Sequence, residues 1–456
     1  MNKVNFEGKK IAILGFGIEG QSVADYLSGK SGSIVVLDEK KRAEFDEKLI
    51  ECYESRGIEF RWGRIANLKG YDIVFRSPSI LPTSKVLQEA KKTGIEISSA
   101  TKLFFDLCPA EIIGVTGTKG KGTTSALIYE MLKEAGEDAY LGGNIGNSPL
   151  DFLDKLDEDS KVVLELSSFQ LMDMEKSPHI GVMLMTTSEH LDYHSDVYEY
   201  ISAKRNIFRF QKETDFAVVN QDYPASNESD VEGDGKVYKV SRENKVFSEG
   251  CFVIKDDLVL KINDTEKSII KIDEVALPGK HNLENAAAAS MAAVLAGVDL
   301  PTIKHVLKTF KGLPHRIEFV ATIRGARFYD DSFSTTPETA IAAIEAFSDP
   351  KILILGGSGK NSDFTELAEV INNSDSIRAI IGIGDEWSRI REMIHNENIE
   401  MIEECSDMFE VVKEASLISE IGDVVLLSPA CASFDMFQNY KDRGEKFKEA
   451  VFQLTN

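Results

Sequence analysis

One feature constrains the fold of this chain more than any other: three times, an apolar run of strand length leads into a glycine loop. The runs begin at Ile11, Ile112 and Ile352, and stretches of helical spacing separate the strands. Strands that alternate with helices predict parallel, doubly wound sheets that bind ligands at the carboxyl ends of their strands. The repetition therefore predicts an α/β chain of three domains.

The three domains are expected to differ in type. We predict a Rossmann-like N-terminal domain, a P-loop ATPase central domain and a Rossmann-like C-terminal domain. Short β runs between residues 237 and 277 predict a small β subsheet in the central domain. Gly312 and Pro314 end a helical run and mark a linker. The predicted domains are residues 1–99, 100–312 and 313–456.

Charge and cysteine content narrow the choice of partner. The 456 residues carry a formal net charge of -23, which repels nucleic acid and anionic membrane. The five cysteines lack the spacing of a disulfide framework or a zinc site, and no apolar segment has signal-peptide or membrane-spanning length. We therefore expect a cytoplasmic protein that binds neither nucleic acid nor membrane. We also expect a monomer that acts on small molecules, although neither charge nor cysteine content shows this.

The second glycine loop has the residues that bind a triphosphate. Backbone N–H groups of glycines approach phosphate oxygens, a helix N-terminus adds positive potential, and a lysine reaches the outer phosphates. The pattern differs from a strict Walker A motif because Gly122, not Ser or Thr, follows Lys121. Magnesium would then take its hydroxyl ligand from Thr123 or Thr124. The predicted ATP-binding loop consists of Gly117, Thr118, Lys119, Gly120, Lys121, Gly122, Thr123 and Thr124.

The first glycine loop fits a dinucleotide fingerprint. Asp38 ends the next strand, 18 residues beyond Gly20. By itself the pattern favours an NAD-dependent oxidoreductase, which we keep as an alternative from another class. A UDP derivative presents the same pyrophosphate and ribose groups, so the loop also fits a nucleotide-linked substrate. Its residues are Gly15, Phe16, Gly17, Ile18, Glu19 and Gly20.

Carboxylate and imidazole side chains follow two further strands of the central domain. The strand Val162–Leu164 delivers Glu165 to the edge where the phosphate loop is expected, and a carboxylate there suits Mg²⁺. His190 follows the strand that begins at Ile180 and can ligate a second metal ion as neutral imidazole. Asp192 and His194 lie in the same loop and are expected around the site or at the surface.

Six segments, in order along the whole chain, resemble the motif series of the Mur ligases. They are Gly143-Asn144-Ile145-Gly146, Glu165-Leu166-Ser167-Ser168-Phe169-Gln170-Leu171, Ser188-Glu189-His190-Leu191-Asp192, Gly279-Lys280-His281-Asn282-Leu283-Glu284-Asn285, Gly312-Leu313-Pro314-His315-Arg316 and Leu427-Ser428-Pro429-Ala430-Cys431-Ala432-Ser433. Within that family the chain is similar to the ligases that add D-glutamate to UDP-N-acetylmuramoyl-L-alanine. The resemblance implies an ATP-dependent ligase of peptidoglycan precursor and cell-wall synthesis that works through an acyl phosphate.

The resemblance also implies roles for single residues. Lys121, His190 and Lys204 would be catalytic; Lys204 matches a lysine that the family carbamylates, and two magnesium ions would be held by Thr123, Glu165, His190 and Lys204. For ATP it adds Asn285 at the adenine, Arg316 at the triphosphate and Asp331 at the ribose. The UDP-linked substrate would meet the first glycine loop together with Asp38, Ser77 and Asn144. The incoming amino acid would meet Thr335, Lys360, Ser433 and Phe434.

The sequence departs from the family at several positions. Gly122 is shared with folylpolyglutamate synthases, which we keep as an alternative within the ligases, although the dinucleotide-like first domain opposes it. Phe333 and Thr336 stand where the family usually has lysine and asparagine, and Ser79 replaces a glycine. The loss of the lysine removes a cation near the phosphate and acceptor sites, so the reaction class is better defined than the amino acid.

Overall fold

Three β-sheets organise the chain, and each contains one of the strands predicted to run into a glycine loop. The computed structural model describes residues 5–144, 147–187, 193–243, 248–359, 362–403 and 405–455. These residues form two compact units. The first unit comprises Met1–Glu274 and Leu283–Lys308, and the second comprises Val275–Asn282 and Thr309–Asn456.

The first sheet is entirely parallel and has the strand order 3-2-1-4-5. The order reverses between strands 1 and 4, which is where doubly wound sheets bind ligands. The predicted loop Gly15 to Gly20 follows strand 1 at this point. The strands are β1 (Lys10–Leu14), β2 (Ser33–Asp38), β3 (Glu59–Trp62), β4 (Ile73–Arg76) and β5 (Glu96–Ser98).

The second sheet has nine strands in the order 14-13-12-11-10-9-6-8-7. Its strands are β6 (Glu111–Thr116), β7 (Ala139–Gly143), β8 (Lys161–Glu165), β9 (Ile180–Met183), β10 (Phe216–Asn220), β11 (Lys236–Ser241), β12 (Gly250–Ile254), β13 (Asp257–Ile262) and β14 (Thr265–Lys271). The short β runs predicted between residues 237 and 277 form strands β11 to β14, which lie side by side at one end of this sheet. They are continuous with the main sheet, which the sequence did not indicate. Strand β12 pairs in parallel with β11, so the antiparallel β13 and β14 extend the edge of the main sheet.

The second unit contains a six-stranded sheet in the order 15-16-20-17-18-19. Only the hairpin of its first two strands is antiparallel. Apolar residues cover both faces, as a parallel sheet between helices requires. The strands are β15 (Glu318–Ile323), β16 (Ala326–Asp330), β17 (Lys351–Gly356), β18 (Ile377–Ile383), β19 (Glu400–Ile402) and β20 (Val424–Leu427).

Helices follow most of the strands. They are α1 (Ile18–Leu27), α2 (Glu47–Ser55), α3 (Lys85–Lys92), α4 (Ala100–Leu107), α5 (Lys121–Glu134), α6 (Ser168–Leu171), α7 (Val197–Arg209), α8 (Pro224–Asn227), α9 (His281–Leu295), α10 (Leu300–Thr309), α11 (Pro337–Glu345), α12 (Thr365–Asn372), α13 (Trp387–Glu392), α14 (Met408–Ile418) and α15 (Tyr440–Thr455). Short 3-10 turns occupy Arg42–Glu44, Pro149–Asp151, Leu153–Lys155, Glu228–Val231 and Ile272–Glu274. None of the helices described has the length and apolar character needed to cross a membrane.

One apolar core continues from the first sheet into the second. It includes Ile11 of the first sheet, Phe16 of the loop after β1 and Leu164 of the second sheet, with Phe104 of α4 between them in sequence. The ring of Phe104 packs edge-on against Phe152, at 6.0 Å between centroids. The two sheets of the first unit are therefore held by shared burial, which fixes the first glycine loop relative to the second.

Candidate active site

The phosphate-type loop connects β6 to α5 and depends on its glycines. Gly117 and Gly120 both have positive φ angles, 150° and 88°, a region that side chains other than glycine rarely adopt. A Cβ at Gly120 would lie 2.3 Å from Oδ1 of Asn285, so close packing also requires glycine there. The loop is followed by the N-terminus of α5, where Gly122 is buried.

Two lysine amines meet at this loop. Nζ of Lys121 donates to the carbonyl oxygens of Gly117 and Thr118, at 3.1 and 2.9 Å. Nζ of Lys204, from α7, donates to the same Gly117 oxygen at 2.7 Å. Lys204 is only 2% exposed, whereas Lys119 is exposed. Lys121, together with Lys204 in its unmodified form, gives this turn a positive potential in an otherwise acidic chain, which suits a polyphosphate.

Helix α7 also supports the loop through Tyr200, which was not predicted. The Tyr200 hydroxyl lies 2.9 Å from Oγ1 of Thr118, and that oxygen also accepts from the backbone N–H of Thr187 at 3.0 Å. The amine of Lys204 lies 4.6 Å above the Tyr200 ring. Tyr200 is four residues before Lys204, so both face the same side of the helix, and that spacing could have identified it.

Glu165 stands at the carboxyl end of β8, as predicted. It pairs in register with Val115, which is two residues before Gly117. Its side chain is buried, with 4% exposure; Oε1 accepts from Nδ2 of Asn144 at 3.1 Å. In the described part of the chain Oε2 has no hydrogen-bond partner. An unpaired buried carboxylate oxygen is costly unless a cation or donor binds it, so this group fits a metal ion.

The two threonines proposed as alternative metal ligands differ in their surroundings. Oγ1 of Thr124 is buried and donates to Oδ1 of Asn285 at 3.3 Å. Thr123 is partly exposed. Because Thr124 is fully buried whereas Thr123 is accessible, Thr123 is the better candidate for a metal ligand.

The start of α9 is fixed by a buried acid next to Asn285. Glu284 accepts from Nδ2 of Asn220, the hydroxyl of Tyr223 and Nη1 of Arg242, at 3.0, 3.0 and 2.9 Å. Burial raises the pKa of Glu284 above its ordinary value, and these partners oppose that shift. The cluster holds Asn285 beside the phosphate-type loop.

The first glycine loop is organised by carboxylates. Oδ2 of Asp38 accepts from the N–H of Phe16 at 2.8 Å, and its Oδ1 accepts from the N–H of Lys40 at 2.9 Å. A Cβ at Gly20 would lie 2.1 Å from the carbonyl oxygen of Gly15, so only glycine fits. The Phe16 ring is buried against Tyr53, which leaves only its backbone for a ligand.

Two more predicted residues border this loop. Oγ of Ser77 lies 3.4 Å from the carbonyl oxygen of Gly15. Glu19 is largely buried, and its Oε1 accepts from Nε2 of Gln170 at 2.7 Å. Gly17 and Ile18 are exposed. Burial raises the pKa of the Glu19 carboxyl, because it penalises the ionised form.

A buried arginine that was not predicted joins the two sheets of the first unit. Arg76, at the end of β4, donates to both carboxylate oxygens of Asp173 and to the carbonyl oxygen of Phe169 at 3.0 Å. The Tyr193 hydroxyl donates to the carbonyl oxygen of Pro78 at 2.7 Å. The segment that follows Glu165 is therefore tied directly to the region after β4. An arginine at the end of an apolar strand was the available signal.

His194 was expected either around the site or at the surface, and the structure shows that it is buried. Its Nε2 lies 2.9 Å from Oγ of Ser168, and its ring stacks on Phe169 at 5.7 Å between centroids. His194 therefore belongs to the interior rather than to the surface. The predicted residues His190, Asp192 and Lys360 lie outside the described residues.

Asp331, in the second unit, is buried and accepts several hydrogen bonds. Its Oδ2 accepts from the hydroxyls of Ser334 and Ser428, and its Oδ1 accepts from the N–H of Ile317 at 3.1 Å. Burial raises the pKa of Asp331 to about 7, although these donors favour the ionised form. Thr335 nearby in sequence is partly buried, and Thr336 caps α11.

The neighbouring Asp330 holds His315. Oδ2 of Asp330 lies 2.7 Å from Nδ1 of His315, and the backbone N–H of His315 donates to Glu318. These three side chains could in principle hold a metal ion. Because the His315–Asp330 pair is already hydrogen-bonded, we interpret the group as structural.

Arg443 supports the region predicted to bind the incoming amino acid, and sequence reasoning missed it. Its fully buried guanidinium donates to the carbonyl oxygens of Cys431 and Ala432 at 3.1 Å, and to Oγ of Ser332 at 2.9 Å. Burial lowers the pKa of Arg443 to about 10. Ser433, which follows Ala432 in the chain, is buried, whereas Phe434 is 72% exposed. A lone arginine in an amphipathic terminal helix gives no sequence signal of this role.

The architecture and the loop geometry are those of a nucleotide-binding α/β protein, and comparison with family models narrows the class to ligases. Residues 9–99 match the Mur ligase MurD-like N-terminal domain, residues 115–293 match the Mur ligase middle domain, and residues 315–431 match the Mur ligase glutamate ligase domain. The chain belongs to the Mur ligase family.

Individual relatives within the family are named for one particular reaction. The chain is 40% identical to the UDP-N-acetylmuramoylalanine–D-glutamate ligase of Acetivibrio thermocellus over 458 residues, which cover 98% of this chain and 97% of that protein. It is 38% identical to the ligase of the same name from Clostridium acetobutylicum, with the same coverage.

Solved structures share the fold. MurF from Acinetobacter baumannii gives a TM-score of 0.61 at 15% identity, covering 97% of this chain and 93% of that one. MurF from Thermotoga maritima, solved in complex with ADP, gives 0.59 at 20% identity, covering 92% and 95%. At these identities the likeness extends to the fold alone.

Proposed function

We propose that the chain joins D-glutamate to UDP-N-acetylmuramoyl-L-alanine at the expense of ATP, as a step of peptidoglycan precursor synthesis. The observation that carries the proposal is the convergence of Lys121 and Lys204 on the Gly117 carbonyl. It lies next to the strand end that bears Glu165, whose Oε2 has no hydrogen-bond partner among the described residues. The names of the relatives, at up to 40% identity over nearly the whole chain, support the choice of substrates.

The proposed reaction has two steps. The carboxylate of the UDP-linked substrate attacks the γ-phosphorus of ATP, the bond to the β,γ-bridging oxygen breaks, and ADP leaves. The neutral amine of D-glutamate then attacks the acyl carbon, the bond to phosphate oxygen breaks, and phosphate and a proton are released. Lys121 provides positive charge where the transferred phosphoryl group accumulates negative charge.

The residues present also fit magnesium. Thr123, Glu165, His190 and Lys204 would hold two ions, and the buried Glu165 oxygen is the observation that supports the fit. Bound Mg²⁺ would neutralise phosphate charge and orient the triphosphate. We propose that Lys204 takes part as a carbamate. A neutral Lys204 amine attacks CO₂ and loses a proton, which converts a cation into a carboxylate-like ligand.

The remaining contacts follow the family assignment. The first glycine loop, Asp38, Ser77 and Asn144 are proposed to bind the UDP-linked substrate. Asn285, Arg316 and Asp331 are proposed to bind ATP; Thr335, Lys360, Ser433 and Phe434 are proposed to bind the amino acid. We further propose that the chain acts as a cytoplasmic monomer, which light scattering of the purified protein would check.

Phosphate release tests the function directly. We expect release from ATP only when UDP-N-acetylmuramoyl-L-alanine and D-glutamate are both present, and little with L-glutamate, lysine or a folate as the second substrate. Hydroxylamine in place of D-glutamate should yield a hydroxamate, because it traps an acyl phosphate. Release that depends on a folate, or that ignores the UDP-linked substrate, would contradict the proposal.

A further inference from the structure

Phe333, one of the residues that depart from the family pattern, lies against a cation. The guanidinium carbon of Arg316 is 3.8 Å from the centroid of the Phe333 ring. A guanidinium within about 6 Å of a ring centroid is attracted by the negative face of the ring. The family lysine is absent, and the aromatic ring that replaces it contacts an arginine.

A second aromatic side chain packs against the Phe333 ring. Tyr440 meets Phe333 at right angles, with 5.1 Å between centroids, a favourable edge-to-face contact. The backbone is fixed as well, because Phe333 donates its N–H to the carbonyl oxygen of His315 at 2.9 Å. The preceding Ser332 donates to the carbonyl oxygen of Tyr440 at 2.8 Å and accepts from Arg443. The face offered to Arg316 is therefore held in place.

The backbone of Arg316 is equally constrained. His315 and Ile317, on either side, have φ angles of 63° and 48°. A β-branched residue is rarely found in this left-handed region, and it persists only where surrounding contacts impose it. Here those contacts come from Asp330, which binds the His315 ring, and Asp331, which accepts from the Ile317 N–H. Backbone and side chain of Arg316 are thus oriented by separate sets of contacts.

We propose that Phe333 is a positioning residue that holds the Arg316 guanidinium for binding to the phosphates of ATP. The inference rests on the proposed function, in which Arg316 contacts the triphosphate. A ring on the face of the guanidinium leaves its N–H donors at the edge of the plane, where they can bind phosphate oxygens. Phe333 then acts on the nucleotide rather than on the choice of amino acid.

The test compares Phe333→Leu, which keeps an apolar side chain without a ring, with Phe333→Tyr, which keeps the ring. Phe319→Leu is the matched control, because Phe319 is exposed and packs on Tyr329 in the same unit. For each protein, kcat and KM are measured for ATP, the UDP-linked substrate and D-glutamate, together with Tm. ADP binding is measured separately by calorimetry.

We expect Phe333→Leu to lower kcat/KM for ATP about tenfold, with unchanged KM for the UDP-linked substrate. Phe333→Tyr and Phe319→Leu should stay close to the original chain. Adding Phe333→Leu to Arg316→Ala should cause little further loss, because both remove the same contact. Additive losses, or a change confined to the KM for D-glutamate, would overturn the inference.

The calorimetry separates this inference from the proposed function. If the unmodified chain makes no amide product yet Phe333→Leu weakens ADP binding and Phe333→Tyr restores it, the proposed function fails and the positioning role stands. If the chain is active but Phe333→Leu and Phe333→Tyr are equally impaired, the ring is not what matters and the positioning role fails.

Discussion

The two glycine loops of the first unit both connect a strand to a helix, but the side chains around them carry opposite charges. Each follows a central parallel strand and precedes a helix, and each needs glycine at close approaches. Around the loop after β6 the contacts come from the amines of Lys121 and Lys204. Around the loop after β1 they come from the carboxylates of Asp38 and Glu19. Glycine spacing therefore indicates a nucleotide, whereas the charges around the loop indicate which part of it is bound.

The difference has a chemical reason. A triphosphate brings several negative charges, so its loop needs cations and a metal site. A nucleoside diphosphate linked to a sugar also offers hydroxyl groups, and a carboxylate such as Asp38 can accept hydrogen bonds from them. Substitutions at each loop test this division.

Lys121→Ala should almost abolish amide formation. It removes positive charge next to the transferred phosphoryl group, a loss on the order of 3 kcal/mol in transition-state stabilisation, or about a hundredfold in kcat. Phosphate release at saturating substrates is the measurement. Lys133→Ala, on the exposed side of the same helix, serves as the control. Near-normal kcat in Lys121→Ala would remove the cationic loop from the mechanism.

Asp38→Ala should raise the KM for the UDP-linked substrate about tenfold, because the Phe16 N–H loses a charged acceptor. The KM for ATP should not change, since Asp38 belongs only to the first loop. Asp72→Ala is a matched control: its carboxylate accepts from the N–H of Lys10 at the other end of β1. Equal effects of the two variants would indicate a general loss of stability instead.

Tyr200→Phe should raise the KM for ATP about fivefold, because that factor corresponds to the net free energy of one hydrogen bond. The change removes the hydroxyl that meets Thr118 and keeps the ring under Lys204. Steady-state kinetics with varied ATP would measure it. Tyr198→Phe, an exposed position on the same helix, provides the comparison. An increase in the KM for the UDP-linked substrate alone would contradict the assignment of Tyr200 to the cationic loop.

Glu19→Gln should change how stability depends on pH. Burial raises the pKa of Glu19 above the ordinary value of 4.5, so the folded protein retains the proton more strongly than the unfolded chain. Stability from this group is complete below the unfolded pKa and is lost as the pH rises through the folded pKa. Glutamine stays neutral at all these pH values. The Tm of the variant minus the Tm of the original chain should therefore be larger at pH 8 than at pH 5.

The control for this effect is Glu51→Gln, at an exposed position of α2. Calorimetry of both variants at the two pH values is the measurement. If both show the same pH trend, burial of Glu19 is not its cause, and the acidic character of the first loop loses one of its two supports.

Much of the fold could be predicted from the sequence, because apolar runs and glycine loops are local signals. The strand predicted from Ile11 is β1, and Glu165 was placed correctly at the carboxyl end of β8. The edge position of β13 and β14 could not be predicted, since alternation shows that a strand exists but not which strand it pairs with. The domain boundaries and the roles of the site residues stay predictions.

The supporting residues of the site were harder to predict. Tyr200 meets Thr118 across 82 residues of sequence, and Arg76 meets Asp173 across 97. Helix spacing relates Tyr200 to Lys204 and the end of an apolar strand marks Arg76, but neither signal identifies a partner that far along the chain. Motif residues are recognisable because they recur together, whereas the groups that hold them become visible only when the chain is folded.

The tie between Arg76 and the segment after Glu165 has a practical consequence for inhibitor chemistry. This buried contact and the shared core hold the two glycine loops within one compact unit. A compound that links a uridine-like head to a phosphate mimic would therefore gain from a stiff tether that matches the distance between the loops, since a flexible tether loses entropy on binding.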